Sequence, residues 1–283
     1  MRVTLIADSG ATKCEWCLLV DGKKKKTIIT DGLSPYFLTA AQIKALLEQH
    51  LLPKIKNFPP KNIFFYGTGL ANPANAKVIN TVLKSLFGKA NIEINNDLDA
   101  AARALCGKQK GIACILGTGA NAGYYNGNII AKNSPGLGYV LGDEGSGAYL
   151  GKKVVQYYLY QTFDEELMAR FNKRFNTSKD EILNNVYKQP LANRYLASYA
   201  IFLSENRGHY MIENIIEDGL NDFFYAHINK MNEAWLYPIH FVGSVAFGFK
   251  DIIKQLALSY EIELGSIVKS PMQGLITYHQ KNK

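Results

Sequence analysis

The stretch "ILGTGANAGYY", from Ile115 to Tyr125, decides the interpretation of the chain. An apolar run ends in Gly117-Thr118-Gly119, and a second run of strand-forming residues follows. Two glycines around a threonine at a hairpin turn have two explanations. One is a tight turn that only glycine allows, and the other is a phosphate or a sugar bound directly against the backbone.

A segment near the N-terminus repeats this plan. "VTLIAD" is followed by the turn "SGAT", the run "CEWCLLV", Asp21-Gly22 and "KTIIT". From Gly111, "IACILG" is followed by "TGAN", "AGYY", Asn126-Gly127 and "NIIAK". Each segment predicts three antiparallel strands joined first by a glycine-rich turn and then by an Asp-Gly or Asn-Gly turn. The repetition predicts a duplicated domain.

Helices and strands alternate after each three-strand segment. The predicted elements of the first half are helix 39–51, strand 62–67, helix 75–87, strand 91–95 and helix 98–106. Those of the second half are helices between Glu144 and Met231, strand 239–243, helix 245–258, strand 260–264 and helix 272–279. This order predicts an α/β fold with mixed sheets flanked by helices. We expect domains 1–107, joined by the C-terminal helix 270–283, and 108–269, with a cleft between them. Asp97 is the expected N-cap of the helix that follows it.

The 283 residues carry a formal net charge of +8, with a sequence pI of about 9.1. No apolar run reaches the roughly 18 residues needed to span a bilayer, and "MRVTLIADSG" lacks the features of a signal peptide. A cytoplasmic protein without a membrane partner is the expectation. Lys23 to Lys26 are expected in a solvated turn. Nucleic-acid binding is not expected, because no basic face with interleaved aromatics is visible; the positive charge favours anionic substrates such as nucleotides.

The four cysteines are expected to be small buried hydrophobes. Cys14 and Cys17 stand three apart on a predicted strand and so point to opposite faces. The five histidines show no metal-ligand spacing. A metal site built from histidine or cysteine is therefore not expected.

Five glycine-rich or acidic stretches stand at predicted strand ends or at a helix start: "ADSGATK", "INNDLDAA", "ILGTGAN", "LGDEGSGAYLG" and "FVGSVA". Each one alone is compatible with an ordinary turn. In this order, however, they resemble the motifs of the sugar kinase, actin and Hsp70 ATPase superfamily. More closely, the chain resembles the BadF/BadG/BcrA/BcrD ATPase family and its N-acetylglucosamine kinase-like branch, for which "GDEGS" (142–146) is characteristic. The resemblance covers nearly the whole chain and implies two ribonuclease H-like, actin-like ATPase domains.

The resemblance implies ATP and Mg²⁺ as cofactors. The first phosphate motif corresponds to residues 8–13, of which Gly10, Thr12 and Lys13 are the candidate phosphate contacts, and the second to Gly117, Thr118 and Gly119. The adenosine motif corresponds to 242–245, with Gly243 and Ser244 as contacts. Glycine lets a phosphate approach backbone N–H groups without a Cβ in the way, and Asp8 suits Mg²⁺, which takes one or two carboxylates beside waters and phosphate oxygens. The two hairpins are expected to hold the ATP phosphates from both sides of the cleft.

Transfer to a sugar hydroxyl needs an acceptor for its proton. Asp97 matches the family's catalytic base, and Asp99 is the second candidate. For the sugar, the resemblance implies Asn121, Asp143 and the backbone around Gly138, together with a covering loop at 31–37. Ser34 and Tyr36 are the candidates in that loop, and Tyr36 stands where the mammalian enzyme carries an asparagine. Glu144 is expected to complement a helix dipole.

Alternatives remain open within this resemblance. N-acetylglucosamine phosphorylated on its 6-hydroxyl is the first choice, and N-acetylmuramic acid, glucosamine and glucose are the others. A BadF-type activator needs cysteines in the second half to hold an iron–sulfur cluster, and none follows Cys114. A nucleotide-dependent switch or filament protein shares the ATP motifs. A ROK-type repressor is not expected, because it would need a helix-turn-helix before the first strand, which begins at Val3. A second copy of the chain, in a homodimer, is an open alternative as a partner.

Overall fold

Two mixed five-stranded sheets organise the chain, and helices pack on them. The structure is a computed structural model that describes residues 1–10 and 12–281. It divides into two compact units. Unit 1 comprises Met1–Lys108 and the described part of Pro271–Lys283, and unit 2 comprises Gln109–Ser270. Both units were predicted to have this α/β character.

The sheet of unit 1 has the order β3-β2-β1-β4-β5. Its strands are β1 (Val3–Ser9), β2 (Lys13–Val20), β3 (Lys23–Asp31), β4 (Asn62–Gly67) and β5 (Asn91–Asn96). The first three are antiparallel, whereas β4 and β5 run parallel to β1. Asp21 and Gly22 form the β2–β3 turn with positive φ angles of 49° and 79°, as an Asp-Gly hairpin turn requires. The four lysines predicted in a turn lie instead within β3, where all of them are exposed.

The helices of unit 1 cover opposite faces of its sheet. They are α1 (Ala40–His50), α2 (Leu52–Ile55), α3 (Pro73–Leu86), α4 (Asp97–Leu105) and, from the chain's end, α14 (Met272–Lys281). Alternate strand residues feed two separate cores, because successive side chains of a strand point to opposite faces. Cys14 belongs to the core under α1 and α3, and Cys17 to the core under α4 and α14. The opposite-face prediction for these cysteines is confirmed, and all four cysteines are buried thiols.

The sheet of unit 2 has the order β10-β9-β6-β7-β8, which is the topology of unit 1 again. Its strands are β6 (Gly111–Leu116), β7 (Ala120–Tyr125), β8 (Ile130–Asn133), β9 (Ile239–Val242) and β10 (Leu264–Val268). The predicted duplication of the plan is thus present. The prediction of the last strand at 260–264 is wrong: Glu261 turns with a φ of 55°, and the strand begins only at Leu264.

Helices fill the sequence between β8 and β9 and follow β9. They are α5 (Gly138–Leu141), α6 (Gly147–Leu159), α7 (Glu165–Phe175), α8 (Lys179–Tyr187), α9 (Ala192–Ser198), α10 (Ile201–Glu205), α11 (Tyr210–Phe223), α12 (Ser244–Gly248) and α13 (Lys250–Ser259). A π-helical turn (Phe224–Ile228) extends α11, and a 3₁₀ turn (Asn232–Trp235) follows it. The single helix predicted at 245–258 is two helices, broken at Phe249, whose φ of −113° and ψ of 32° are not helical.

Close packing of α14 on α4 brings the end of the chain back to unit 1. A Cβ atom at Gly274 would stand 2.2 Å from the carbonyl oxygen of Ala104. Real Cβ atoms do not approach backbone so closely, so the helices meet through this glycine.

We therefore expect Gly274→Ala to push α14 away from α4 and to lower the melting temperature by at least about 2–4 °C. Gly248→Ala is the matched control, since a Cβ there would meet no heavy atom within 4 Å. Thermal unfolding followed by circular dichroism measures both. A Gly274→Ala protein as stable as the wild type would contradict the close approach.

Candidate active site

The β1–β2 hairpin of unit 1 exposes its backbone. The Gly10 N–H donates to the carbonyl oxygen of Lys13 at 3.0 Å, and Gly10, Thr12 and Lys13 are all exposed. A Cβ at Gly10 would lie 3.7 Å from the Lys13 oxygen, which is an ordinary contact. The turn itself therefore does not require this glycine. Ala11, within the predicted phosphate motif, lies outside the described residues.

Asp8 and Asp97 lie near each other at the carboxyl ends of the parallel strands. Asp8 has the same parity on β1 as Ile6, which faces α4 and α14, and Asp97 is the first residue of α4. Burial raises the pKa of Asp8 to about 7, and the negative charge of Asp97 adds to this rise. Burial also raises the pKa of Asp97 to about 6, against the opposing effect of a hydrogen bond with the Thr68 side chain. Two carboxylates so placed favour proton uptake or a cation.

The cap of α4 engages Asn96 and Asp99. Asn96, not Asp97 as predicted, is the N-cap: its Oδ1 accepts from the Asp99 N–H at 2.8 Å, and Asp99 Oδ2 accepts from the Asn96 N–H at 3.3 Å. This reciprocal capping box occupies Asp99. The structure thereby distinguishes the two candidate bases. Asp99 closes the capping box, whereas the Asp97 carboxylate accepts hydrogen bonds from its own N–H and from the Leu98 N–H and has a hydrogen bond with the Thr68 side chain.

Ser9 joins the remaining parts of this site in unit 1. Its carbonyl oxygen accepts from the Thr68 N–H at 3.0 Å, and its hydroxyl accepts from the Leu33 N–H at 2.9 Å. The first contact fixes the loop that carries Asp97's hydrogen-bond partner. The second fixes the loop that carries Ser34, which is 2% exposed and whose hydroxyl has no partner among the described residues.

Tyr36 covers the loop that follows β4. Its ring is 63% exposed, yet a Cβ atom at Gly69 would stand only 2.4 Å from it. Gly69 also has a φ of 76°, so the backbone conformation favours glycine there, and the absence of a side chain lets the Tyr36 ring lie against it. Ser34, Tyr36 and Asp97 are thus attached to neighbouring segments of unit 1.

In unit 2 the β6–β7 turn is bound to the start of α6. The Gly147 N–H donates to the Gly117 oxygen at 2.8 Å, and the Ala148 N–H donates to the Thr118 oxygen at 3.0 Å. Neither Gly117 nor Gly119 has a left-handed φ, and a Cβ at Gly117 would meet nothing within 4 Å. The local turn therefore does not explain Gly117, which favours the alternative of a ligand against bare backbone.

The third motif of unit 2 meets the same turn. Gly243 has a φ of 129°, and a Cβ there would lie 2.1 Å from the carbonyl oxygen of Leu116. Only glycine fits, so the backbone before α12 lies directly against the end of β6. Ser244, the first residue of α12, is exposed beside it. The predicted phosphate and adenosine motifs of this unit are therefore adjacent.

The predicted sugar residues of unit 2 surround the second half of the same turn. Asp143 has a φ of 57°, and its Oδ1 accepts from the Ala120 N–H at 3.3 Å. A Cβ at Gly119 would stand 3.1 Å from Asp143 Oδ2. Burial raises the pKa of Asp143. Asn121 follows on β7, with its Oδ1 on the Ala122 N–H at 2.9 Å, and Gly138 opens α5 with a φ of 72°.

Known proteins share this fold and sequence. The solved structure of a protein described as a "putative N-acetylglucosamine kinase", from Porphyromonas gingivalis, is 36% identical to this chain, covers 99% of each chain and superposes with a TM-score of 0.95. The chain therefore belongs to the N-acetylglucosamine kinase-like family. A protein of the same description from Chromobacterium violaceum, 18% identical with 98% and 99% coverage and a TM-score of 0.75, shares the fold.

Among curated proteins, the N-acetylmuramic acid/N-acetylglucosamine kinase of Clostridium acetobutylicum is 26% identical over 169 residues. The match covers 56% of this chain and 54% of that protein, so the chain spans about half the length of this curated relative. No family model matches the chain. The family and the two-domain actin-like fold that the motifs predicted are confirmed by these likenesses. Among the described residues, no helix combines the length and the apolar character needed to cross a membrane.

Several site residues were not predicted. Thr68 acts through contacts that leave no motif in the sequence, and Ser9, although it lies within the predicted phosphate motif, was not expected to contact the Thr68 and Leu33 backbone. Glu144 was expected to begin a helix, but it lies two residues before the N-cap Ser146. It pairs instead with His227, whose Nε2 lies 3.1 Å from Glu144 Oε2. These two residues are 83 positions apart, so no local pattern could reveal the pair.

The raised pKa of Asp8 predicts a pH-dependent stability. The ordinary pKa of an aspartic acid is 3.8, and that of Asp8 in the folded protein is about 7, so Asp8 binds its proton more tightly in the folded state. Its contribution to stability is fully present below pH 4 and is lost as the pH rises through 7. At pH 8 we expect Asp8→Asn to be more stable than the wild type by about 1–2 kcal/mol, and this advantage should disappear near pH 4.

Urea unfolding of both proteins at several pH values between 4 and 8 measures this difference. Asp97→Asn should follow the same direction, because the pKa of Asp97 is also raised, to about 6. A difference between Asp8→Asn and the wild type that stays constant over this range would contradict the burial of a charged Asp8.

Proposed function

We propose that this chain is an ATP-dependent sugar kinase that phosphorylates the 6-hydroxyl of an amino sugar, with N-acetylglucosamine as its preferred substrate. The family supports this proposal, since the relative described as a "putative N-acetylglucosamine kinase" is 36% identical over nearly the whole length of both chains. The observation in the structure that carries it is the Asp8–Asp97 pair, two partly buried carboxylates with raised pKa values at the carboxyl ends of β1 and β5. Use of ATP would place the reaction in the cytoplasm.

The ATP phosphates are assigned to the glycine turns. In unit 1, Thr12 and Lys13 supply a hydroxyl and an ammonium, and Gly10 leaves room for a phosphate beside the turn. In unit 2, Gly117, Thr118 and Gly119 supply backbone. Neither a positive φ nor crowding explains why glycine stands at positions 10 and 117, which supports phosphate binding at both. Gly243 and Ser244 are assigned to the adenosine, because Gly243 lies against the end of the same strand as the turn.

Mg²⁺ fits the residues around Asp8. Its pKa of about 7 means that its negative charge is poorly compensated in the folded protein, and a divalent cation would supply that compensation. No group of three or more histidine, cysteine or acidic side chains that could hold a metal occurs among residues 1–10 and 12–281, but Mg²⁺ commonly needs only one or two carboxylates. Bound with the nucleotide, the ion would offset charge on the phosphate oxygens.

Asp97 is assigned as the general base. Its pKa of about 6 lies close to neutral pH, which suits a group that must be ionised and still accept a proton. As the sugar oxygen bonds to the γ-phosphorus and the bond to ADP breaks, the hydroxyl proton passes to the carboxylate of Asp97. The hydrogen bond with Thr68 orients that carboxylate.

Candidate sugar contacts are assigned in each unit separately. Asn121 and Asp143 offer an amide and a carboxylate to ring hydroxyls, and the backbone near Gly138 would rest against the acetamido methyl group. Ser34 brings a buried hydroxyl without a partner among the described residues, and Tyr36 brings an exposed ring. A buried polar group without a partner is costly unless a ligand satisfies it.

Asp97→Asn should lower kcat by about 10²-fold or more, the usual contribution of a general base, and leave KM for ATP nearly unchanged. Asp99→Asn is the matched control: it makes the same chemical change two residues later, and an amide oxygen can still accept the Asn96 N–H of the capping box. Steady-state ADP release measures both variants. If Asp99→Asn lost activity and Asp97→Asn kept it, the base would be assigned wrongly.

An amide-binding pocket should reject sugars without the amide, often by orders of magnitude. We expect kcat/KM for N-acetylglucosamine to exceed that for glucose by about 10-fold or more, and Asp143→Ala to impair both. An ADP-release panel with glucosamine, glucose, N-acetylglucosamine and N-acetylmuramic acid measures this. Turnover of glucose at an equal rate would overturn the acetamido specificity and leave the kinase assignment standing. Slow ATP hydrolysis without any sugar turnover would favour a nucleotide-dependent switch.

A further inference from the structure

His227 lies buried just after the end of α11, outside the sequence motifs. His227 is 6% exposed and belongs to the π-helical turn Phe224–Ile228. Its ring lies 4.9 Å from that of Phe223. Single π-helical turns at the end of an α-helix are uncommon and frequently occur at functional sites, because the wider turn re-aims a side chain.

Both ring nitrogens of His227 have partners. Nδ1 lies 2.6 Å from the Ser134 hydroxyl, and Nε2 lies 3.1 Å from Glu144 Oε2. An ionised carboxylate only accepts, so Nε2 carries a hydrogen and donates to Glu144, and in the neutral ring Nδ1 accepts from Ser134. Hydrogen bonds that involve a charged group are the stronger ones.

The two partners of His227 mark the ends of one segment, residues 134–144. Ser134 follows β8, and its N–H donates to the Ala122 oxygen at 2.9 Å. At the other end, Gly145 fits against α11, where a Cβ would stand 2.9 Å from the Phe223 Cβ. Between these ends lie Gly138 and Asp143, the segment's two assigned sugar contacts.

The middle of this segment has few contacts of its own. Leu137, Val140 and Leu141 are 57%, 68% and 74% exposed. One backbone hydrogen bond, from the Gly142 N–H to the Gly138 oxygen at 2.8 Å, closes the short helix α5. Tyr139 packs against the core of unit 2, and the rest of the segment depends on its ends for its position.

We propose that His227 is a positioning residue that fastens the two ends of segment 134–144 and thereby holds Gly138 and Asp143 in place for the sugar. This inference rests on the proposed function. The link is direct, because Glu144 adjoins Asp143, whose carboxylate is set against the β6–β7 turn.

The same three side-chain types make up hydrolytic triads, but the geometry favours positioning. A nucleophilic serine must be accessible to its substrate, whereas Ser134 is 8% exposed and its backbone N–H is bonded to β7. Its hydroxyl therefore serves as an anchor.

Three substitutions separate the two bonds. His227→Phe keeps an aromatic ring and removes both hydrogen bonds. His227→Gln can place an amide nitrogen near the Nε2 position and so retain the hydrogen bond to Glu144. Ser134→Ala removes only the hydrogen bond between Ser134 and Nδ1. The matched control is His209→Phe, at the opposite end of α11, where Nε2 lies 2.9 Å from Asp164 Oδ2. Amide hydrogen exchange of the ligand-free protein and steady-state kinetics are measured for each.

We expect His227→Phe to speed amide exchange in residues 135–143 by roughly 10-fold or more, as loss of a charge-assisted hydrogen bond predicts. For the same variant, KM for the sugar should rise by about the same factor and KM for ATP should stay unchanged. His227→Gln should restore much of the wild-type exchange rate and KM, and His209→Phe should change neither.

A folded His227→Phe protein with unchanged amide exchange in residues 135–143, or with an equal rise of both KM values, would overturn the proposal. Should His227→Phe not fold, faster exchange in Ser134→Ala, confined to that segment, supports it and unchanged exchange refutes it. Absence of sugar turnover by the wild type would refute the proposed function, and the exchange data would still decide the role of His227.

Discussion

Direct backbone contact at the end of β6 is the constraint on which the site of unit 2 depends. The carbonyl oxygen of Leu116 lies where a side chain at residue 243 would begin, so only Gly243 allows α12 to start there. One residue later, the oxygens of Gly117 and Thr118 accept the first N–H groups of α6. Two helix starts are thus fixed to a single turn. These contacts hold the turn in place although Gly117 itself is neither crowded nor in a positive-φ conformation. A turn held in this way suits the ligand site proposed there.

Unit 1 is organised by charge instead. Asp8 and Asp97 are each costly to ionise in their surroundings, as their raised pKa values of about 7 and about 6 indicate. A fold that tolerates this cost is less stable than one with neutral residues at both positions, which is the usual trade-off between stability and activity. Hydrogen bonds from the N–H groups of Asp97 and Leu98 at the start of α4 offset part of this cost at Asp97, because they favour its ionised form.

The sequence predicted the elements with strong local patterns and missed those decided by distant contacts. β4 was predicted at its observed bounds because "NIFFYG" is a short apolar run between clear breaks. Residues 260–264 alternate apolar and acidic residues as a strand would, yet Ile262 is buried directly after a turn and the register with β9 begins only at Leu264. Asn96 and Asp97 are both good capping residues, and only the reciprocal bond with Asp99 decides between them. The Ser134–His227 pair spans 93 positions, beyond any local pattern.

The duplicated topology shows why the two units have different chemical roles. The penultimate residue of the first strand is Asp8 in unit 1 and Ile115 in unit 2, and the first residue after the last strand is Asp97 in one and Lys269 in the other. One scaffold thus presents two carboxylates at its strand ends, and its copy presents an apolar and a cationic residue there. The sheets share one backbone plan, so the difference at these strand ends lies in the side chains. Within the proposed function, this difference supports assigning acid–base and metal chemistry to unit 1, since the corresponding strand positions of unit 2 carry no carboxylate that would repel a phosphate.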